Sequence, residues 1–306
     1  MLLACLLPLR LPLRLPLRLP LRLLRLLRLL QLMLLAAAKH TNHSTAMNGH
    51  EAYFTDTVRR IPRSLHFIWL PRNRKQGETV NPIPAQFASN VALWRQLHPS
   101  WSVRVWRWSS VALALHADSL ELLSKFDGVS LRADLLRLLL LQKFGGVYLD
   151  ADITPLRPID PVLEAVPSAF TVCQHMQNRT GLAVPFRTGQ LVLNEYEVMQ
   201  CSSAANAVIA LRPGHPAAAE MVQRARDLVG SGAARGNASH SCGQLRCWEL
   251  GAQPWTLQAL KHSVRFLHPR TFYPCHWTAR HLCDVAAARE ATGVFAMHHW
   301  SKTWGW

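Results

Sequence analysis

An α/β domain with a mostly parallel central sheet flanked by helices is the fold class this sequence predicts. Two patterns carry it. Short apolar segments rich in Val, Ile, Phe and Trp alternate with helical stretches from residue 64 to residue 153, the order that builds a parallel sheet with helical crossovers. A long apolar helix over 131–144 also runs into Gly145-Gly146 and directly on to a strand, and glycine is the usual stop at a helix C-terminus. At 49% hydrophobic and 17% charged residues the chain can fill a core and is not a disordered one. No uncharged apolar run reaches the roughly 20 residues that a spanning helix needs, which excludes a multi-span membrane protein.

The elements follow in order. Ser64–Leu70 reads as a strand bounded by Pro62 and Pro71, before a loop with Asn81-Pro82 and Pro84. Gln86–Leu97 reads as a helix. Ser102–Trp108 alternates like a strand, with Val103, Val105, Trp106 and Trp108 set among Arg104 and Arg107. Val111–Phe126 reads as one helix, stopped by Asp127-Gly128. Leu131–Phe144 is a helix with Ser130 as its N-cap, and Val147–Ile153 is a strand. Val294–Met297 adds a late apolar strand.

The formal charge of +16 suggests a nucleic-acid or membrane-surface partner, but it is unevenly placed. Residues 1–39 hold seven basic residues and no acid, so 40–306 carry only +9. Residues 7–22 are four copies of Leu-Pro-Leu-Arg, a low-complexity leader that ends in Ala36-Ala37-Ala38. It reads as a secretory signal with an overlong basic region or as a signal anchor, with an organellar transit peptide as the alternative. Residues 40–60 read as a polar stem, leaving 61–306 as the folded domain. Sequons at Asn42, Asn178 and Asn237 favour the secretory route. So do six body cysteines, Cys173, Cys201, Cys242, Cys247, Cys275 and Cys283, an even number that permits disulfides. Zinc on the last four, with His276 or His281, fits poorly because the gaps do not match the usual ligand knuckles.

Chemistry concentrates in Leu131-Arg-Ala-Asp-Leu-Leu-Arg137 and Phe144-Gly-Gly-Val-Tyr-Leu-Asp-Ala-Asp152. In a strand, alternate side chains share a face, so Asp150 and Asp152 are expected to point together at the C-terminal end, where α/β sheets place ligands. Two carboxylates there suit a hard divalent cation. A lone D-x-D is often only a solvated turn; the helix and Gly-Gly in front make this one specific. Asp134 and Arg137 share a helix face three residues apart. Spacing alone leaves open whether they form an i,i+3 ion pair, with Asp134 near the positive helix end, or a polar pair gripping a sugar.

Together these segments resemble the glycosyltransferases with a DXD-containing sugar-binding region. That group includes fungal α-1,6-mannosyltransferases, inositol-phosphoceramide mannosyltransferases and lactosylceramide α-1,4-galactosyltransferases, and more distantly the glucosylating clostridial toxins. The likeness also uses Leu65-His-Phe-Ile-Trp69, Asn206 with Arg212-Pro-Gly-His-Pro216, and His298-His-Trp-Ser-Lys-Thr-Trp304. It implies a GT-A-like single domain and a UDP- or GDP-hexose donor held through Mn²⁺ or Mg²⁺ on the catalytic pair Asp150 and Asp152. It further implies Trp69 against the nucleotide base, with a core tryptophan as the alternative, and Asp134 and Arg137 on the donor sugar. Ser301, Lys302 and Trp304 would close over the phosphates. His298 is the expected third metal ligand, with His299 as the fallback because neighbouring strand residues face opposite ways. Relatives carry Thr-Gly-Pro where this chain reads Gly251-Ala-Gln-Pro254, which leaves the glycan or glycolipid acceptor open.

The resemblance implies a retaining transfer. With no nucleophile evident on the β-face, front-side displacement is the expected route. A catalytically inactive sugar-nucleotide-binding relative and a metal-dependent phosphohydrolase are the alternatives. A nucleic-acid partner is not expected, since no basic run outside the leader exceeds Arg72–Lys75.

Overall fold

The computed structural model describes residues 60–71, 82–126, 128–174, 176, 190–231, 250–275 and 284–301. All of them belong to one unit, Glu51–Trp306. The leader, the stem up to residue 59, the three sequons, Asn81, Asp127, Cys242, Cys247, His276, His281, Cys283, Lys302 and Trp304 lie outside the described residues. Among those described, no helix is long and apolar enough to cross a membrane.

The strands are β1 (Ser64–Ile68), β2 (Ser102–Trp106), β3 (Gly146–Leu149), β4 (Ile153–Pro155), β5 (Ala169–Cys173), β6 (Ala204–Leu211), β7 (Arg265–Leu267) and β8 (Ala296–His298). The helices are α1 (Ala85–Leu97), α2 (Trp108–Ala114), α3 (Ala117–Ser124), α4 (Val129–Phe144), α5 (Asp160–Ala165), α6 (Glu195–Met199), α7 (Pro216–Gly230), α8 (Ala252–Lys261) and α9 (Val285–Glu290). Six strands form a sheet in the order β2-β1-β3-β6-β5-β7, and β4 pairs with β8 in a separate ribbon. β6 is antiparallel to both its neighbours, while β2, β1 and β3 run parallel to one another and β7 runs parallel to β5. The sheet is thus mostly parallel, as expected.

Both faces are covered at β1, β3, β5 and β6, which read as nearly continuous apolar runs, while the edge strand β2 alternates. Leu65, Phe67, Val147, Leu149, Phe170 and Val172 pack with Trp94 of α1 and Val162 of α5. Their strand neighbours Ile68, Tyr148, Ile209 and Leu211 pack on the other side with α4, Met221 of α7 and Trp255 of α8. α4 is buried from Arg132 through Leu141, so it is a central helix, apolar on nearly every side.

Four boundaries differ from the sequence reading. α4 starts at Val129 with Gly128 as N-cap, and Arg132 N–H closes on Gly128 O at 3.0 Å, so Ser130 lies inside the first turn and Asp134 in the second. The span 111–126 is two helices, α2 and α3, separated by extended backbone at Leu115 and His116. Periodicity cannot reveal that break; Lys143 of α4 donates to Ala114 O at 2.7 Å and satisfies the freed helix end. Trp108 opens α2 instead of ending β2, with Arg107 N–H donating to Ser110 Oγ at 2.9 Å. Finally, 147–153 is not one strand: β3 ends at Leu149, and Ile153 N–H turns back onto Asp150 O at 3.1 Å.

The α4–β3 junction requires both glycines. Gly145 (φ 62°) and Gly146 (φ 95°) adopt left-handed backbone. A Cβ at Gly145 would stand 2.6 Å from Pro213 Cδ, and one at Gly146 would stand 2.6 Å from Ser64 O. Beside them His66 is buried, its Nδ1 accepting from Trp106 Nε1–H at 3.0 Å and its Nε2–H donating to Gly145 O at 2.8 Å. Burial outweighs that last bond and pushes the imidazole down to about 4.

Cys173 and Cys201 form a disulfide with Cα atoms 5.7 Å apart, and Cys275 is disulfide-bonded too. Cys275 is therefore not available as a zinc thiolate.

Candidate functional site

Three stretches converge beyond the C-terminal end of β3: the turn Asp150–Asp152, α4, and the strand end at His298. Because β3 stops at Leu149, the two carboxylates are brought together by the turn and not by the pleat of a strand. Asn90 of α1 holds that turn, its Nδ2 donating to Ala151 O at 3.0 Å. Thr154 Oγ1 donates to Asn90 Oδ1 at 2.7 Å and meets His299 Nε2 at 2.7 Å. The β4–β8 pairing, with Ile153 opposite His298, then carries His298 beside Asp152.

Asp150, Asp152 and His298 each offer one ligand atom within 4.8 Å of the others. Asp152 Oδ1 lies 3.0 Å from His298 Nε2, close to the spacing of adjacent ligands on one ion with bonds of about 2.1 Å. Asp152 is buried, which raises its carboxyl, but the His298 contact, the Ser301 N–H on Oδ2 at 2.8 Å and His299 together hold it below the usual range. His298 Nδ1 is buried with no hydrogen-bond partner among the described residues. Two carboxylates and one imidazole form an oxygen-rich set that suits Mn²⁺ or Mg²⁺. His299 is exposed and turned to Thr154, so the fallback ligand is the one outside the cluster.

The α4 side is closed by its own bonds. Arg137 Nη2 pairs with Asp134 Oδ1 at 2.7 Å, and Nη1 lies 3.7 Å from Asp150 Oδ1 and donates to Asn206 O. Its guanidinium stacks 4.5 Å from the Tyr148 ring centre, and Tyr148 O–H donates to Asp150 Oδ1 at 2.6 Å. Burial pushes Asp134 up to about 6, against the pull of Arg137 and the Asn206 amide at 3.1 Å. The ion-pair reading and the site reading of Asp134 and Arg137 are therefore compatible, because the pair sits on Asp150.

Trp69 follows β1 at the same sheet edge, buried, with its ring 5.6 Å from Phe87. Ser301 meets the site through its backbone N–H. Sequence reasoning assigned no role to Asn90, Thr154, Tyr148 or Tyr273. Tyr148 was reachable, since it sits two residues before Asp150; Asn90 and Tyr273 give no local signal.

Residues 84–168 match the family model of the glycosyltransferase sugar-binding region containing a DXD motif. The matched segment contains Asp134, Arg137, Asp150 and Asp152. No curated protein sequence matches the chain. Among solved structures it is similar to the PaToxG glycosyltransferase at 15% identity, over 66% of this chain and 68% of that one, with a TM-score of 0.39. It is similar to the ligand-free glycosyltransferase domain of the YGT toxin at 12% identity, over 54% and 62%, with a TM-score of 0.29. A structure described as a transferase matches at 15% identity over 75% and 88%, with a TM-score of 0.34.

Proposed function

We propose that this protein is a metal-dependent, retaining glycosyltransferase that moves a hexose from a UDP- or GDP-sugar to a glycan or glycolipid acceptor. The observation that carries the reading is the convergence of Asp150, Asp152 and His298 within 4.8 Å, at the end of a segment matching a DXD sugar-binding region. Asp150 and Asp152 with His298 would hold Mn²⁺ or Mg²⁺, which supplies positive charge against a departing diphosphate. Asp134 and Arg137 orient the donor sugar, and Arg137 stands 3.7 Å from Asp150 Oδ1. The buried Arg137 guanidinium, stacked on Tyr148, stays rigid and adds fixed charge at no reorganisation cost. By the resemblance, Trp69 would meet the base, and Ser301 and Trp304 would close over the phosphates. The acceptor attacks from the face the diphosphate leaves, and the diphosphate takes its proton.

The leader fits delivery of the domain to the secretory lumen, in the Golgi, as a secreted or type II form. The Cys173–Cys201 disulfide suits that oxidising compartment.

A thermal-shift series of nucleotide sugars with and without Mn²⁺ tests the reading, because a ligand of the native state raises the melting temperature by mass action. One UDP- or GDP-hexose is expected to raise it only with Mn²⁺ present. No shift with any of them refutes donor binding, and an inverted anomer in the product, read by NMR, refutes the retaining route.

A further inference from the structure

Tyr273 follows a short 3₁₀ turn at Pro269–Thr271 and is 4% exposed. Its ring stands edge-on to His298 at 5.2 Å and lies 5.2 Å from the ring of Trp300. Its hydroxyl is buried with no hydrogen-bond partner among the described residues. Leaving such a group unpaired is costly, and native structures pair nearly all of them.

Its setting indicates what is missing. A phenol carries one O–H donor, and here the carboxylates already have partners: Asp150 Oδ1 accepts from Tyr148, Asp152 Oδ2 from Ser301 N–H, and Asp152 Oδ1 faces His298. The unmet requirement is an acceptor brought in from outside, beside the Tyr273, His298 and Trp300 rings that are in mutual contact. An anionic oxygen matches a neutral O–H donor better than water does, because hydrogen bonds to charged groups are roughly twice as strong.

We propose that Tyr273 is a donor-binding residue whose Oη–H hydrogen-bonds a diphosphate oxygen of the nucleotide sugar. The inference rests on the reading of the site as a metal–diphosphate centre. It adds a residue to which no role was assigned above, and which lies outside the matched segment 84–168.

Tyr273→Phe tests it, with inorganic pyrophosphate as the probe and calorimetry as the readout. The wild-type chain is expected to bind pyrophosphate in the presence of Mn²⁺, and the variant to bind it about 10- to 100-fold more weakly. Affinity for Mn²⁺ alone is expected to be unchanged. The melting temperature of the variant is expected to equal or exceed that of the wild type, since the change deletes an unpaired buried hydroxyl. Equal pyrophosphate affinity overturns the proposal while leaving the site reading intact. A parallel loss of Mn²⁺ affinity overturns it in favour of a contact to the metal's own water, and a melting temperature lowered by several degrees overturns it in favour of a structural bond. Absence of pyrophosphate binding by the wild type removes the site reading, and the proposal with it.

Discussion

At the N-terminal end of β3 the imidazole of His66 is bonded on both ring nitrogens, by Trp106 and by Gly145 O. Beyond the C-terminal end, the buried imidazole of His298 meets Asp152 through Nε2 and leaves Nδ1 without a partner among the described residues. Among the same residues the hydroxyl of Tyr273 beside it is unpaired as well. The two ends of one short strand therefore serve different tasks. The first is a structural corner in which every polar atom is satisfied by the chain itself. The second keeps polar groups waiting, a cost that folding accepts where a ligand is to complete the bonds. The Arg137 cluster stands between them: it is internally satisfied, yet aimed at Asp150.

The largest way to break this contrast is Arg137→Met. It strands Asp134 and Asp150 without their cation, and stability should fall by about 3–5 kcal/mol, the usual result of removing one partner of a buried pair. Urea denaturation measures it, and an unchanged midpoint would mean that the cluster is not stabilised by its charges. The His66 corner predicts a pH effect of roughly 3 kcal/mol. Its folded pKa, about 4, lies below the ordinary 6.5, so the unfolded chain takes up the proton first. The stability it represents is complete above pH 6.5 and is lost as pH falls toward 4. NMR titration should show the His66 ring neutral down to about pH 5; protonation near 6.5 would contradict the closed corner. At the open end, Asp150→Asn should lower transfer by at least ~10²-fold with Mn²⁺ supplied, through loss of metal-held charge. Activity near that of the wild type would remove Asp150 from the site.

Much of the architecture is legible in the chain because it is written locally. The Leu131–Phe144 helix, the Gly145-Gly146 stop and the first strand are set by apolar runs and by positive backbone angles that glycine alone tolerates cheaply. The break between α2 and α3 is not legible, since both helices keep their apolar residues in the same phase and the cap that separates them comes from Lys143, 29 residues away from Ala114. Asp150 and Asp152 were recognisable as a pair, but the pleat argument for their alignment was the wrong one; a turn, closed by Ile153 and held by Asn90, brings them together.

The residue pattern alone thus settles the α/β class, the central helix, and the two carboxylates placed after β3, because each depends on neighbours within a few positions. Only the folded chain decides the rest of the centre. Asn90, Asn206, Tyr273 and His298 come from four distant segments, and no periodicity links them to Asp150 or Asp152. What joins them is long-range pairing: β4 on β8 delivers His298 to Asp152, and β3 on β6 sets Asn206 beside Arg137. Such contacts are chosen by the packing of whole layers, which a sequence read locally does not display.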